Sequence, residues 1–262
     1  RRVFDRLYVA SAEDDEEGVR WVDVTARGVR LNMTPLDVSE RLRVSIDSTE
    51  AAWVFTSAPL AVGDDFGHFT DRMGVQDARC LKFATPVDVA ARAMVFVPRD
   101  LPAPASDNFI PALLEQTTPL LGATPGGAFF LHTSYRALQR SADWFDERPA
   151  LLGERPLYVQ GDAPRDKLLK AFRAEGNAVL LATGTFWEGV DVRGSALSLV
   201  VIDKLPFAAP DDPLLIARSA WLRAQGRNPF MHHQLPQAVL ALKQGSGRML
   251  RSADAYGGIA IG

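Results

Sequence analysis

A chain of 262 residues, 47% hydrophobic and 23% charged, has the composition of an ordinary globular protein with one large domain or two small ones, which excludes disordered and collagen-like classes. Its one cysteine, Cys80, excludes an internal disulfide and any cysteine-built metal or iron–sulfur site within these residues. The net charge of −3 is unevenly spread: residues 13–17 read EDDEE, whereas Pro213 to Ala253 carries no acid against Arg218, Arg223, Arg227, Lys243, Arg248 and Arg251.

That basic block is either a solvated face or a surface for a polyanion. No stretch approaches the roughly 18 apolar residues of a membrane helix, so no membrane partner is expected, and a reducing cytoplasm fits the cysteine usage. The chain opens at Arg1 and stops in GGIAIG, an apolar run resembling an unfinished strand. A fragment of a longer protein is expected.

In chain order, VRWVDVTARGVRLNMTPLDVSERL predicts two short alternating strands around Gly28. A helix follows from near Thr34, with Pro35 at its first position. Residues 1–50 are expected to be a small antiparallel attachment. From residue 51 the runs AAWVFTS, AMVFVP, GAFFLHTS, PLYVQ, AVLLAT, ALSLVVID and GGIAIG predict strands buried on both faces. Amphipathic stretches lie between them at about 107–121, 134–146, 164–175, 212–225 and 236–250. The alternation predicts an α/β fold over 51–262, a mostly parallel sheet with helices on both faces.

Such sheets bind ligands beyond the carboxyl ends of their strands. The residues found there are Thr133, Ser134, Tyr135 and Arg136 after GAFFLH, Gln160-Gly161-Asp162 after PLYV, and TGTFWEGVDVRG after AVLLA. Gly184 to Gly189 has the spacing of a phosphate-binding loop, but Val190-Asp191 stands where that loop needs Lys and Ser or Thr. A structural turn is the plainer alternative. The four histidines, His68, His132, His232 and His233, lack metal-ligand spacing, and no metal site is expected. No G-x-S-x-G elbow begins a catalytic triad.

The last helix carries two glycines, Gly245 and Gly247, each costing roughly 1 kcal/mol relative to alanine. Val239, Leu242 and Met249 or Leu250 form its apolar stripe, while Gln244, Arg248 and Arg251 fall at i, i+4 and i+7 on another face. Two guanidiniums and an amide in a row suit phosphate oxygens, and the glycines allow close approach. An exposed basic face is the alternative.

QGSGRMLRS resembles motif VI (Q-x-x-G-R-x-x-R) of superfamily-two helicases, and ATGTFWEGVDVRG resembles their motif V as written in the XPD/DinG branch. FTSAPL (55–60) is similar to motif III, with Pro59 replacing a threonine, and FFLHTSYRALQ (129–139) to motif IV. LYVQGDAPRDKLLKAF (157–172) and VVIDKLPFAAPDDP (200–213) are similar to blocks between the motifs of DinG-type proteins. The likeness runs from about residue 34 to the end.

This resemblance implies the second RecA-like motor domain of an ATP-dependent helicase that moves 5′ to 3′ on single-stranded DNA. Carried over residue by residue, it makes Arg248 and Arg251 arginine fingers, with Gln244 as their positioning partner. Glu188, Gly189 and Asp191 would face the nucleotide. Thr133, Ser134, Tyr135, Arg136, Thr183, Gly184 and Trp187 would contact DNA. It implies that ATP and Mg²⁺ are held mainly by a first motor domain absent from these residues, as would be any iron–sulfur cluster. By that logic the isolated chain should not hydrolyse ATP. Residues 1–50 would be the end of an inserted arch region. A RecA-like module that binds single-stranded DNA or a protein without catalysis remains the alternative.

Overall fold

Two runs, Gly127–His132 (GAFFLH) and Leu197–Ile202 (LSLVVI), are buried at every residue, and the fold is organised around them. A computed structural model of the chain describes residues 18–25, 28–57, 60–84, 88–186, 196–246 and 256–262. Its contacts group into two compact units, one of residues up to Lys82 with Phe207–Leu240, the other of Phe83–Pro206 with Ala241–Gly262.

The second unit holds a six-stranded sheet. We number its strands β3 (Ala93–Phe96), β4 (Gly127–His132), β5 (Leu157–Val159), β6 (Val179–Thr183), β7 (Leu197–Ile202) and β8 (Gly257–Ile261). Their order is β3-β8-β7-β4-β6-β5, and every pairing is parallel. The helices Phe109–Thr117, Tyr135–Asp146 and Arg165–Glu175 provide the crossovers around it.

Side chains alternate across a strand, so a strand covered on both faces must be apolar throughout. Phe130 enters one core with Leu113, Leu114, Leu138, Phe145 and Val201, and meets Phe145 edge to face at 5.6 Å. Phe129 and Leu131 enter the opposite core with Leu168, Phe172, Leu180 and Ile202; the Phe129 and Phe172 rings lie 4.8 Å apart. Gly127 opens β4 where a Cβ would come within 2.4 Å of Phe172 and 2.7 Å of the Ala196 carbonyl. Only glycine fits there without moving the core.

The first unit contains the hairpin of β1 (Gly18–Thr25) and β2 (Gly28–Pro35), paired antiparallel with Val22 opposite Leu31. The helices Ser39–Asp47 and Gly67–Met73 pack together. Arg43 pairs with Asp47 of its own helix and reaches Asp77 just beyond the second, and Gly74 turns with φ of 68° where a Cβ would strike the Ser39 carbonyl at 2.3 Å. The helix Pro213–Ala224 completes this unit and is capped by Asp212, whose carboxylate accepts from the N–H groups of Leu214 (2.7 Å) and Leu215 (3.0 Å).

Two local expectations fail. Pro35 ends β2 instead of opening a helix, and the following helix starts at Ser39, whose N–H donates to the Asp37 side chain at 2.8 Å. The apolar run 51–57 joins no strand among the described residues. Its aromatic residues stack instead: Trp53 lies 6.2 Å from Phe55, and Phe55 meets Phe69 edge-on at 5.6 Å. Those aromatic contacts replace the sheet ladder that an apolar run of this length predicts. Pro59 lies outside the described residues.

Candidate nucleic-acid and nucleotide edge of the sheet

The carboxyl ends of β4, β5, β6 and β7 bring together polar residues that are far apart in sequence. Asp203, directly after β7, is 1% exposed, and its backbone N–H donates to the Leu131 carbonyl at 3.0 Å. Its carboxylate accepts from the Thr133 N–H at 2.9 Å and from the Thr133 hydroxyl at 3.2 Å. His132, also buried, places Nδ1 3.8 Å from the same carboxylate, too far for a hydrogen bond. Asp203 therefore fixes the chain as it leaves β4.

The next residue, Ser134, is in extended backbone, and its hydroxyl accepts the Ala137 N–H at 3.2 Å, capping the helix Tyr135–Asp146. Tyr135 stands 63% exposed at the start of that helix. Gln160, at the end of β5, donates from Nε2 to the Tyr135 phenol oxygen at 2.7 Å. Its Oε1 accepts from both the N–H (2.7 Å) and the hydroxyl (3.0 Å) of Thr183, the last residue of β6. One amide thus joins the residues after β4 to those after β6. Gly184 is exposed beside this link, with open space where a Cβ would stand.

These contacts sort the expected site residues. Thr133 and Ser134 spend their hydroxyls on Asp203 and on the helix cap, and buried Thr183 spends both its donors on Gln160. Tyr135 and Gly184 face solvent. Arg136 is exposed but turned toward Asp107, 3.3 Å away, which Arg140 also engages. Arg140 holds the Asp107 carboxyl below the usual carboxylate range. Gln244 is exposed on the helix Leu235–Ser246, next to a buried Gly245, while Leu242 packs against the Phe129 core. Trp187, Glu188, Gly189, Asp191, Arg248 and Arg251 lie outside the described residues.

Gln160 and Asp203 carry the geometry of this edge, yet neither was assigned a role from sequence. The available signal was position alone, since Gln160 directly follows the half-buried β5 and Asp203 the fully buried β7. Among the described residues no group of His, Cys, Asp and Glu could hold a metal ion. None of the described helices is long and apolar enough to cross a membrane.

Residues 118–262 match the family described as helicase C-terminal domain. The chain is 42% identical over 241 residues to the ATP-dependent DNA helicase YoaA of Escherichia coli, which covers 92% of this chain and 37% of that protein. It is 35% identical over 261 residues to the ATP-dependent helicase DinG of Mycobacterium tuberculosis, covering 96% of this chain and 38% of that one. The chain thus spans well under half the length of these relatives. Among solved structures, an XPD helicase matches with a TM-score of 0.67 at 18% identity, over 99% of this chain and 45% of the other. At that identity the likeness concerns the fold.

Proposed function

The chain belongs to the helicase C-terminal domain family, in its DinG/XPD form, and from that membership we propose that it is the second motor half of an ATP-dependent, 5′-to-3′ DNA helicase of the cytoplasm. The observation that supports this best is the Gln160 link. It ties the motif IV residue Tyr135 to the motif V residue Thr183 at the edge of the sheet where ligands of this architecture bind. A shift at one strand end would be felt at the other, as a motor that couples DNA contact to nucleotide state requires.

In this proposal Arg248 and Arg251, positioned by Gln244, reach the terminal phosphate of ATP. ATP and Mg²⁺ are held mainly by a first motor domain in the rest of the protein, which would also hold any iron–sulfur cluster; Cys80 alone could not. Glu188, Gly189 and Asp191 face the nucleotide. Tyr135, Arg136, Gly184 and Trp187 contact the DNA strand, whereas Thr133, Ser134 and Thr183 shape the backbone that approaches it. Residues 1–50 are by ancestry the end of an inserted arch region and 51–262 the motor domain, a division distinct from the two compact units.

Joining the chain to the upstream part of its protein should yield ATP turnover stimulated by single-stranded DNA, whereas the 262-residue chain alone should show none. Turnover by the chain alone would overturn the reading of it as half a motor, whereas an inactive joined protein that still binds DNA would favour a non-catalytic binding module.

The chain alone is expected to bind a labelled single-stranded oligonucleotide weakly and in a salt-dependent manner. Asp107→Ala should tighten that binding by about three- to tenfold and steepen its salt dependence, because Arg136 and Arg140 lose the carboxylate that competes with DNA phosphates. An unchanged affinity would remove Arg136 from the DNA surface.

A further inference from the structure

His132 closes β4 on the sheet face that Phe130 buries, and it is 1% exposed. Among the described residues, neither of its ring nitrogens has a hydrogen-bond partner. A neutral imidazole carries one donor and one acceptor, and native cores rarely bury such groups unpaired. The exception calls for a reason, and the neighbouring carboxylate supplies one.

The two oxygens of Asp203 are served unequally. Oδ1 accepts the Thr133 N–H at 2.9 Å. Oδ2 accepts the Thr133 hydroxyl at 3.2 Å, beyond the roughly 2.5–3.0 Å of an ordinary hydroxyl bond, and faces His132 Nδ1 at 3.8 Å. Two donors therefore address one oxygen, and neither holds it closely. The Asp203 side chain is 0% exposed, so bulk water does not make up the deficit.

The two donors differ in what else they reach. Thr133 is exposed beyond the carboxyl end of β4, where ligands of such sheets bind, whereas His132 is enclosed. A hydroxyl has a single proton, so Thr133 cannot donate to Asp203 and to an incoming anion at once. Drawn off alone, it would leave a buried carboxylate oxygen unpaired, a loss that offsets the new bond. With His132 in place, a closing movement of about 1 Å brings Nδ1 to bonding distance and fills the gap.

We propose that His132 is a positioning residue for single-stranded DNA: its Nδ1–H takes over Asp203 Oδ2 when a DNA phosphate oxygen accepts the Thr133 hydroxyl. The bond from the Thr133 N–H to Oδ1 persists in both arrangements and keeps the chain fixed as it leaves β4. Thr133 thus shapes the backbone in the free chain and adds its hydroxyl to the DNA surface on binding. The proposal rests on the reading of this edge as a DNA site.

The first measurement needs no DNA. In the 262-residue chain carrying isotope-labelled histidine, NMR identifies the His132 Nδ1–H proton by its loss in His132→Phe. In Thr133→Val that proton should lie downfield of its wild-type position, as a hydrogen bond to a carboxylate requires. A saturating thymidine oligonucleotide should move the wild-type proton the same way.

Oligonucleotide affinity supplies the second. Thr133→Val and His132→Phe should each weaken binding by about three- to tenfold, the equivalent of one hydrogen bond, and the double variant by no more than either. His132→Asn, which keeps an amide donor near the Nδ1 position, should recover most of the affinity. His132→Phe replaces an unpaired polar ring with an apolar one and should melt no lower than the wild type, so its weaker binding is not a loss of fold. An unmoved His132 proton in Thr133→Val, or additive losses in the double variant, would overturn the exchange while leaving the DNA site standing. A wild-type chain that fails to bind the oligonucleotide would overturn the DNA reading of this edge, and the role of the exchange with it.

Discussion

Replacing Arg155 by alanine is expected to destabilise the chain by about 3–5 kcal/mol, a large share of the stability of a typical domain. Arg155 spends one guanidinium on four backbone carbonyls. Nη1 donates to Gly126 at 2.7 Å and Asn177 at 2.8 Å, and Nη2 donates to Leu121 at 2.9 Å and Thr124 at 2.6 Å. Those carbonyls belong to the helix Leu120–Ala123, the turn into β4 and the turn into β6. One side chain therefore ties three loops at the amino-terminal edge of the sheet, and the partly buried carbonyls lose a charged donor when it is removed.

Arg155→Lys should recover little of the loss. An ammonium has three donors radiating from one atom and cannot reproduce the planar fork that meets four acceptors. Denaturant midpoints of the wild type and both variants check this. A midpoint for Arg155→Ala within experimental error of the wild type would mean that water satisfies the four carbonyls.

The sheet was legible because burial on both faces leaves no polar positions in its central strands, and a run such as GAFFLH then has few other places to go. The same logic misfires at 51–57, where composition cannot distinguish a strand from a segment whose aromatic residues stack on one another and on Phe69. Pro35 is another case of two permitted roles: proline suits a first helical turn, but it also suits the end of an edge strand.

The candidate site was legible only as a set of strand ends. Asp203 acts on a residue 70 positions away, and Gln160 on residues 23 and 25 positions away. Such roles exist only once the topology brings β5, β6, β4 and β7 side by side. The basic block shows the converse. Arg218 and Arg227 sit in one compact unit beside Leu36 and Asp71, while Lys243 belongs to the other, so neighbours in sequence are divided between the two units.

The second large effect concerns Arg248. If it stabilises charge developing on the terminal phosphate, its removal acts on the transition state far more than on binding of the ground state. Arg248→Ala in the protein joined to its upstream part should then leave ATP affinity within a few-fold and DNA affinity nearly unchanged. Arg251→Ala should behave similarly. Gln244→Ala should lose less, since an amide that positions a guanidinium acts through it.

The most direct test of the motor assignment is therefore the steady-state ATP turnover of that joined protein, with saturating single-stranded DNA, for the wild type and Arg248→Ala. A fall in turnover of about 10³-fold at full DNA occupancy is the expected result. Turnover in the variant equal to that of the wild type would contradict it.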